Sequence, residues 1–192
     1  MKKIMFNDKC GLTQAVLEGR KTQTRRIGYT QNGFVVFDSE DFRLKKLDNG
    51  QALLTLCNNE FKTAHYKIGE EVAIAQRYSG ITDALRQELS QLPGWRNKMF
   101  VKADLMPHRI RITNIRIERL QDISDEDCIA EGIYPKANGR WYCYDVVRRM
   151  GVSYDPYPDP REAYAALIDK ISGKGTWESN PWVFVYDFEL VE

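Results

Sequence analysis

Two stretches of strict alternation constrain this chain more than anything else in it. "RIRITNIRIERL", beginning at Arg109, and "PWVFVYDFELV", beginning at Pro181, place apolar residues at every second position. A period of two puts those side chains on one face of an extended strand. The second stretch keeps one phase through Trp182, Phe184, Tyr186, Phe188 and Leu190. The first changes phase: Ile110 and Ile112 share a face, and Ile115 and Ile117 fall on the other. A bulge near Thr113-Asn114 brings both pairs inward. Long strands of this kind need a sheet with a buried face, so Arg109–Ile117 and Trp182–Leu190 are expected in one barrel-like sheet system.

The other segments read as short strands and short helices. "LTQAVLEG" sets Leu12, Ala15 and Val16 on one helical face and stops at Gly19. "GFVVFD" reads as a strand, and "FRLKKLDNGQALLTL" as a hairpin around Asp48-Asn49-Gly50. "YKIGEEVAIAQRY" turns at Gly69 and continues as a strand with Val72 and Ile74 on one face. "ITDALRQELSQLPG" spaces Leu85, Leu89 and Leu92 as a helix ending at Pro93-Gly94. In "DISDEDCIAEGI" Ser124 and Asp127 form a capping-box pattern and Gly132 a stop, a helix of about two turns. "DPREAYAALIDKISGKG" has Asp159 as N-cap, Pro160 at the first position, and Tyr164, Leu167, Ile168 and Ile171 at i, i+3, i+4, i+7. There is no internal repeat or linker, and "SYDPYPDP" is a Pro-rich loop. The pattern predicts one α+β domain over residues 1–192, β-rich, with a small barrel decorated by short helices.

Composition narrows the functional classes. The 43% hydrophobic and 29% charged content is that of a globular protein. No apolar run reaches the roughly 18 residues a membrane helix needs, and "MKKIMFNDKCG" breaks its apolar run too early for a signal peptide. A cytoplasmic protein without membrane contact is expected. Cys10, Cys57, Cys128 and Cys143 are scattered, with only His65 and His108 beside them. That set predicts reduced, buried thiols and no metal or other cofactor. The net charge is +1, but residues 1–30 and residues 96–119 each carry seven Lys/Arg against two Asp/Glu, while residues 153–192 carry three against eight. Either the two basic segments share a face that attracts a polyanion, or they pair with the acidic C-terminal region.

The densest chemistry lies in "GRKTQTRR", Gly19 to Arg26, directly after the first helix. This motif resembles the signature of the ASCH family, whose members have a PUA-like β-barrel. "YKIGEEVAIAQRY" is similar to the family's G-[DE]-x-x-x-V turn and strand. "IRIERLQDISDEDCIAEGI" resembles the strand-then-helix segment of its phage- and prophage-associated members, and "NPWVFVYDFE" its closing strand. The blocks follow the family's order from about Leu12 to Glu189, leaving additions around residues 28–63 and 80–99. Here the second block ends in Gln76-Arg77-Tyr78, where close relatives carry Arg-Glu and an aromatic.

The resemblance implies binding of RNA or of a nucleobase, nucleoside or nucleotide. The residues agree with it: Arg20, Arg25, Arg26 and Arg77 offer guanidinium planes for phosphates, Thr22 and Thr24 offer hydroxyls, and Tyr78 offers a ring for base stacking. The alternatives are surface ion pairs for the arginines and a core-edge role for Tyr78. The resemblance also implies a second activity, an amidohydrolase removing the acetyl group from acetylated cytidine, and carries its roles to Lys21, Thr24 and Glu131. In that chemistry Thr24 is the nucleophile, Lys21 the base that neighbouring arginines help to deprotonate, and Glu131 the partner that orients Lys21 or handles the leaving group's proton. On a regular strand Lys21 and Thr24 face opposite sides, so they converge only if Lys21 still belongs to the turn after the helix. Glu131 is unusual on its own terms, a carboxylate at the negative end of a helix dipole. A third possibility is a phage-derived barrel that serves protein contacts alone.

Overall fold

The structure, a computed structural model, describes residues 1–27, 29–30, 33–34, 42–46, 52–56, 61–81, 86–135, 139–143 and 157–191. In chain order the strands are β1 (Lys2–Ile4), β2 (Gln23–Ile27), β3 (Tyr29–Thr30), β4 (Gly33–Phe34), β5 (Phe42–Lys46), β6 (Ala52–Leu56), β7 (Phe61–Thr63), β8 (Glu71–Ile74), β9 (Arg109–Arg119), β10 (Tyr134–Pro135), β11 (Trp141–Tyr142) and β12 (Trp182–Val191). The α-helices are α1 (Leu12–Leu17), α2 (Arg86–Leu89), α3 (Asp125–Ala130), α4 (Pro160–Ser172) and α5 (Thr176–Ser179). Five strands make one mixed sheet in the order β1-β8-β9-β12-β2. β1 runs parallel to β8, and the other neighbours are antiparallel.

The two alternating stretches pair with each other as β9 and β12, with a register shift at Asp187/Phe188. Asp187 faces Asn114 and Phe188 faces Ile112, so Thr113 is the extra residue. Its side chain is exposed while Ile110, Ile112 and Ile115 are fully buried and Ile117 is partly so. The bulge thus turns a sequence that changes phase into a strand with one buried face. β12 lies between β9 and β2, and burial there extends to both faces: Val183 and Val185 are as buried as Phe184 and Tyr186.

The expected closed barrel is not formed. Among the described residues β1 and β2 are the two edges of an open sheet and do not pair. The chain leaving β1 nevertheless reaches β2, where the Arg26 guanidinium donates to the Met5 carbonyl at 2.8 Å. The sheet therefore curls until its edges approach and leaves a seam between them.

The helices follow their caps. Ser124 accepts from the Asp127 amide and Asp159 from the Glu162 amide, with Pro160 in the first turn of α4. Along α4, Tyr164, Leu167 and Ile168 are buried, and Ile171 is more exposed at the end. The strands β5 and β6 pair as expected, with Lys46 opposite Ala52, and β7 extends them into a three-stranded sheet. The turn Asp48-Asn49-Gly50, most of "GFVVFD" and Leu85 lie outside the described residues. A helical turn at Arg86–Leu89 precedes Leu92, which is extended ahead of Pro93. Among the described residues no helix is long and apolar enough to cross a membrane.

Thr113→Ala is expected to change stability by less than about 0.5 kcal/mol, as for an ordinary surface position. Deleting Thr113 removes the bulge and turns either Ile110/Ile112 or Ile115/Ile117 out of the core, so urea denaturation of that variant is expected to show no cooperative native state.

Candidate functional site

α1 ends in a tight turn that sets the whole site. The Arg20 and Lys21 amides both donate to the Ala15 carbonyl at 2.9 Å, and Gly19 takes a left-handed φ of 70°. Lys21 therefore still belongs to the helix end, and β2 starts only at Gln23. This is the condition under which Lys21 and Thr24 can converge, and both line one cavity of about 390 Å³ together with Glu131.

The cavity lies at the seam. The segment after β1 supplies Met5, Phe6 and Asn7, β2 supplies Thr24 to Ile27, and α4 supplies Tyr164, Leu167 and Ile168. The Thr22 carbonyl accepts from the Phe188 amide. By the alternation of an antiparallel ladder, the main-chain groups of Thr24 and Arg26 also face β12, and those of Gln23, Arg25 and Ile27 face the open edge. Side chains alternate as well. Thr24 and Arg26 share one sheet face, Gln23 and Arg25 the other, and the cavity wraps the edge and touches both.

Lys21 is buried to 2% exposure. Its ammonium donates to the Gln23 carbonyl at 2.7 Å, the Glu131 carbonyl at 2.8 Å and Glu131 Oε2 at 2.5 Å. These three acceptors match the three protons of an ammonium. The Thr22 amide donates to the Ala130 carbonyl at 2.9 Å. The Lys21 turn thus satisfies the free carbonyls at the end of α3, and the misplaced carboxylate of Glu131 is explained: it faces a buried cation. Gly132, at φ 103°, lets the chain turn there, and a side chain would be built 3.7 Å from the Lys21 stem. Burial holds the Lys21 pKa below the usual lysine value; Glu131 opposes this, and the charges of Arg26 and Arg25 add to it.

A charge network covers the Gln23/Arg25 face. All five N–H groups of Arg25 are engaged, with Glu118 twice, Asp127, Glu131 and the Gln23 side chain. Arg116 joins Glu118, Asp127 and Asp187, and the Gln23 amide bridges Asp127 and Asp187. These residues sit in cross-strand rows: Gln23, Asp187 and Asn114 in one, Arg25, Val185 and Arg116 in the next. The Asp127 carboxylate is drawn into this network by the arginines, so the capping-box pattern acts only through Ser124.

Several expected binding residues are corrected. Arg25 has no donor left for a phosphate. Arg20 pairs with Glu18 at 2.6 Å and stacks near Tyr134 at the surface. The Thr22 side chain is exposed, and Thr22, like Arg20, is not among the cavity's lining residues. Arg77 borders a separate, shallower groove with Gln76 and Ser79. Tyr78 is 1% exposed, donates no face to solvent and packs under Gly94, where a Cβ would lie 2.4 Å from its ring. Its hydroxyl accepts from the Lys102 amide, so it is a core residue of a second cluster with Leu89, Val101 and Met106. Arg26 alone of the expected cations lines the cavity with a side chain only partly buried, near Phe6 at 5.8 Å. Lys2, Lys98 and Arg111 also meet carboxylates, so much of the basic charge of the two segments is neutralised locally. Among the described residues no cluster of three or more His, Cys, Asp or Glu is placed to hold a metal ion.

The sequence marks Tyr164 only as one member of the helical apolar stripe with Leu167, Ile168 and Ile171. It is 1% exposed, yet it lines the cavity, and its ring lies 5.9 Å from the Arg25 guanidinium carbon. No family model, curated protein or solved structure matches this chain.

Because Lys21 and Arg25 both depend on Glu131, Glu131→Ala leaves uncompensated buried charge and is expected to cost about 3–5 kcal/mol in chemical unfolding; Glu131→Gln, which keeps an acceptor, is expected to cost less. Alkaline pH offers a second measurement. Burial pushes the Cys128 thiol from 9.0 up to about 12 and the Tyr186 phenol from 10.0 up to about 12, and raises Tyr164 as well. The folded chain keeps these protons where the unfolded chain loses them, so stability falls as pH rises above about 9 towards 12; Lys21, with its lowered pKa, acts in the opposite sense. Thermal midpoints between pH 8 and pH 11 are expected to decline accordingly.

Proposed function

We propose that this chain hydrolyses an amide on a nucleoside-sized ligand bound at the seam. The observation that carries this is the convergence of Thr24 and a buried Lys21–Glu131 pair on one cavity. The resemblance to the ASCH family supports an acylated cytidine-type ligand. Phe6 and Ile168 offer apolar walls for a flat base, and Arg26 lies at the same cavity. The cavity's size and the engagement of Arg25 favour a small ligand over a polyanion.

The chemistry runs in two halves. In the first, the Lys21 amine, in the neutral form that burial favours, takes the Thr24 hydroxyl proton while Oγ1 bonds to the acyl carbon. The ammonium so formed is held by Glu131 and the two carbonyls. It then returns the proton to the amide nitrogen as the C–N bond breaks, leaving an acyl ester on Thr24 and a free amine. In the second, Lys21 takes a proton from water, the hydroxide oxygen bonds to the acyl carbon, and Thr24 leaves with the returned proton. Glu131 sets the position of Lys21 throughout.

Hydrolysis of N4-acetylcytidine by wild-type protein is the test. Thr24→Val, close in shape but without the hydroxyl, is expected to abolish turnover, and Thr24→Ser to retain part of it. The rate constant kcat/KM is expected to rise with pH as Lys21 loses its proton, below the ordinary lysine value of 10.5. Wild-type protein that binds the nucleoside and leaves every acylated form intact would rule out hydrolysis and leave nucleoside binding.

A further inference from the structure

Resting on the hydrolase assignment, we infer that the Tyr164 hydroxyl is the donor that receives the acyl oxygen of the ligand. Two observations carry this. Tyr164 lines the same cavity as Lys21, Thr24 and Glu131. Its hydroxyl is buried and, among the described residues, has no hydrogen-bond partner. It is a rare state for a buried phenol, because a polar group withdrawn from water without a partner is destabilising.

The surroundings fix the ring. Tyr164 stands on α4 one turn before Leu167 and Ile168, which also border the cavity. Trp177 of α5 meets it edge-on with centroids 6.2 Å apart, and the Arg25 guanidinium lies over its face. Arg25 is in turn immobilised by its five hydrogen bonds. A phenol held this way, with its donor unspent, is pre-organised for an oxygen that arrives with the ligand. Lys21 does not fill this role, since its nitrogen is the base that takes the Thr24 proton and its N–H groups are directed at the Gln23 carbonyl and at Glu131. As Thr24 adds to the carbonyl, negative charge grows on that oxygen, and a fixed donor gains strength at that point of the reaction. Tyr164 would be a catalytic residue by this contact, and it also makes the site selective for ligands with a carbonyl over those with a plain alkyl group at the same place.

Tyr164→Phe keeps the ring and removes only the hydroxyl. If the hydroxyl serves the reaction, the variant is expected to lose about 10²–10³-fold in kcat with its thermal midpoint unchanged or raised. A role in packing alone gives the same midpoint with kcat unaffected, and that result overturns the inference. Binding provides a readout independent of turnover. In a Thr24→Val background, titration calorimetry with N4-acetylcytidine and N4-ethylcytidine compares ligands with and without the carbonyl. Adding Tyr164→Phe is expected to weaken the acetyl ligand about tenfold and leave the ethyl ligand unchanged. Equal effects on both ligands, or none on either, overturn the inference while leaving the hydrolase assignment to its own test. Binding of neither ligand by the Thr24→Val protein removes the site and this inference together.

Discussion

The buried contact between Lys21 and Glu131 governs the architecture around it. The two residues are 110 positions apart, and their ion pair ties the turn after α1 to the end of α3. Withdrawing both charges from water is costly, and their attraction alone only roughly offsets that cost. What makes the arrangement stable is that every proton of Lys21 has an acceptor and that Glu131 is also met by Arg25. From there the hydrogen bonds pass through Glu118, Asp127 and Arg116 to Asp187 on β12. One face of the β2–β12–β9 sheet is therefore polar in its interior, and hydrogen bonding rather than apolar packing fixes its geometry.

This polar interior explains what was legible in the sequence and what was not. The strands β9 and β12 and the bulge near Thr113 follow from the period of the apolar residues, a local signal, whereas the pairing of the two strands with each other is a long-range contact that the period does not specify. The convergence of Lys21 with Thr24 was readable as a condition on the turn, because Gly19 marks the helix end. The fate of Arg25 was not readable. An arginine in a basic motif looks the same whether it meets a phosphate or three carboxylates contributed by residues 118, 127 and 131, and only the three-dimensional arrangement decides. Tyr78 was hidden for a similar reason: its burial depends on Gly94 and on Val101, Met106 and Leu89, which approach through tertiary contacts. Tyr164 fits a helical apolar stripe so well that nothing in the spacing separates it from Leu167 and Ile168. The missing signal is the absence of a partner for its hydroxyl.

The open sheet also changes how the site is built. A closed barrel spends its edge strands on each other. Here the edges stay apart, and the seam between β1 and β2 brings together a helix-end turn, an edge strand and the face of α4. Both faces of β2 contribute to a single cavity, something a strand enclosed on both sides cannot do. The Arg26–Met5 hydrogen bond crosses the seam and holds its width at that point.

One feature of the strand order reaches beyond the finished molecule. β12, between β9 and β2, is the latest in sequence of the five strands yet occupies an inner place, and its partner β2 is the second of the five in sequence. During synthesis, β2 emerges with its hydrogen-bonding edge unmatched and must wait for residues 182–191 before it can be seated. Loop closure over that separation makes the step slow relative to local helix formation. The carboxylates and cations of the interior are then exposed to water until residues 182–191 arrive, and are dehydrated together. Assembly of the sheet and assembly of the cavity thereby depend on one step, the seating of β12 beside β2.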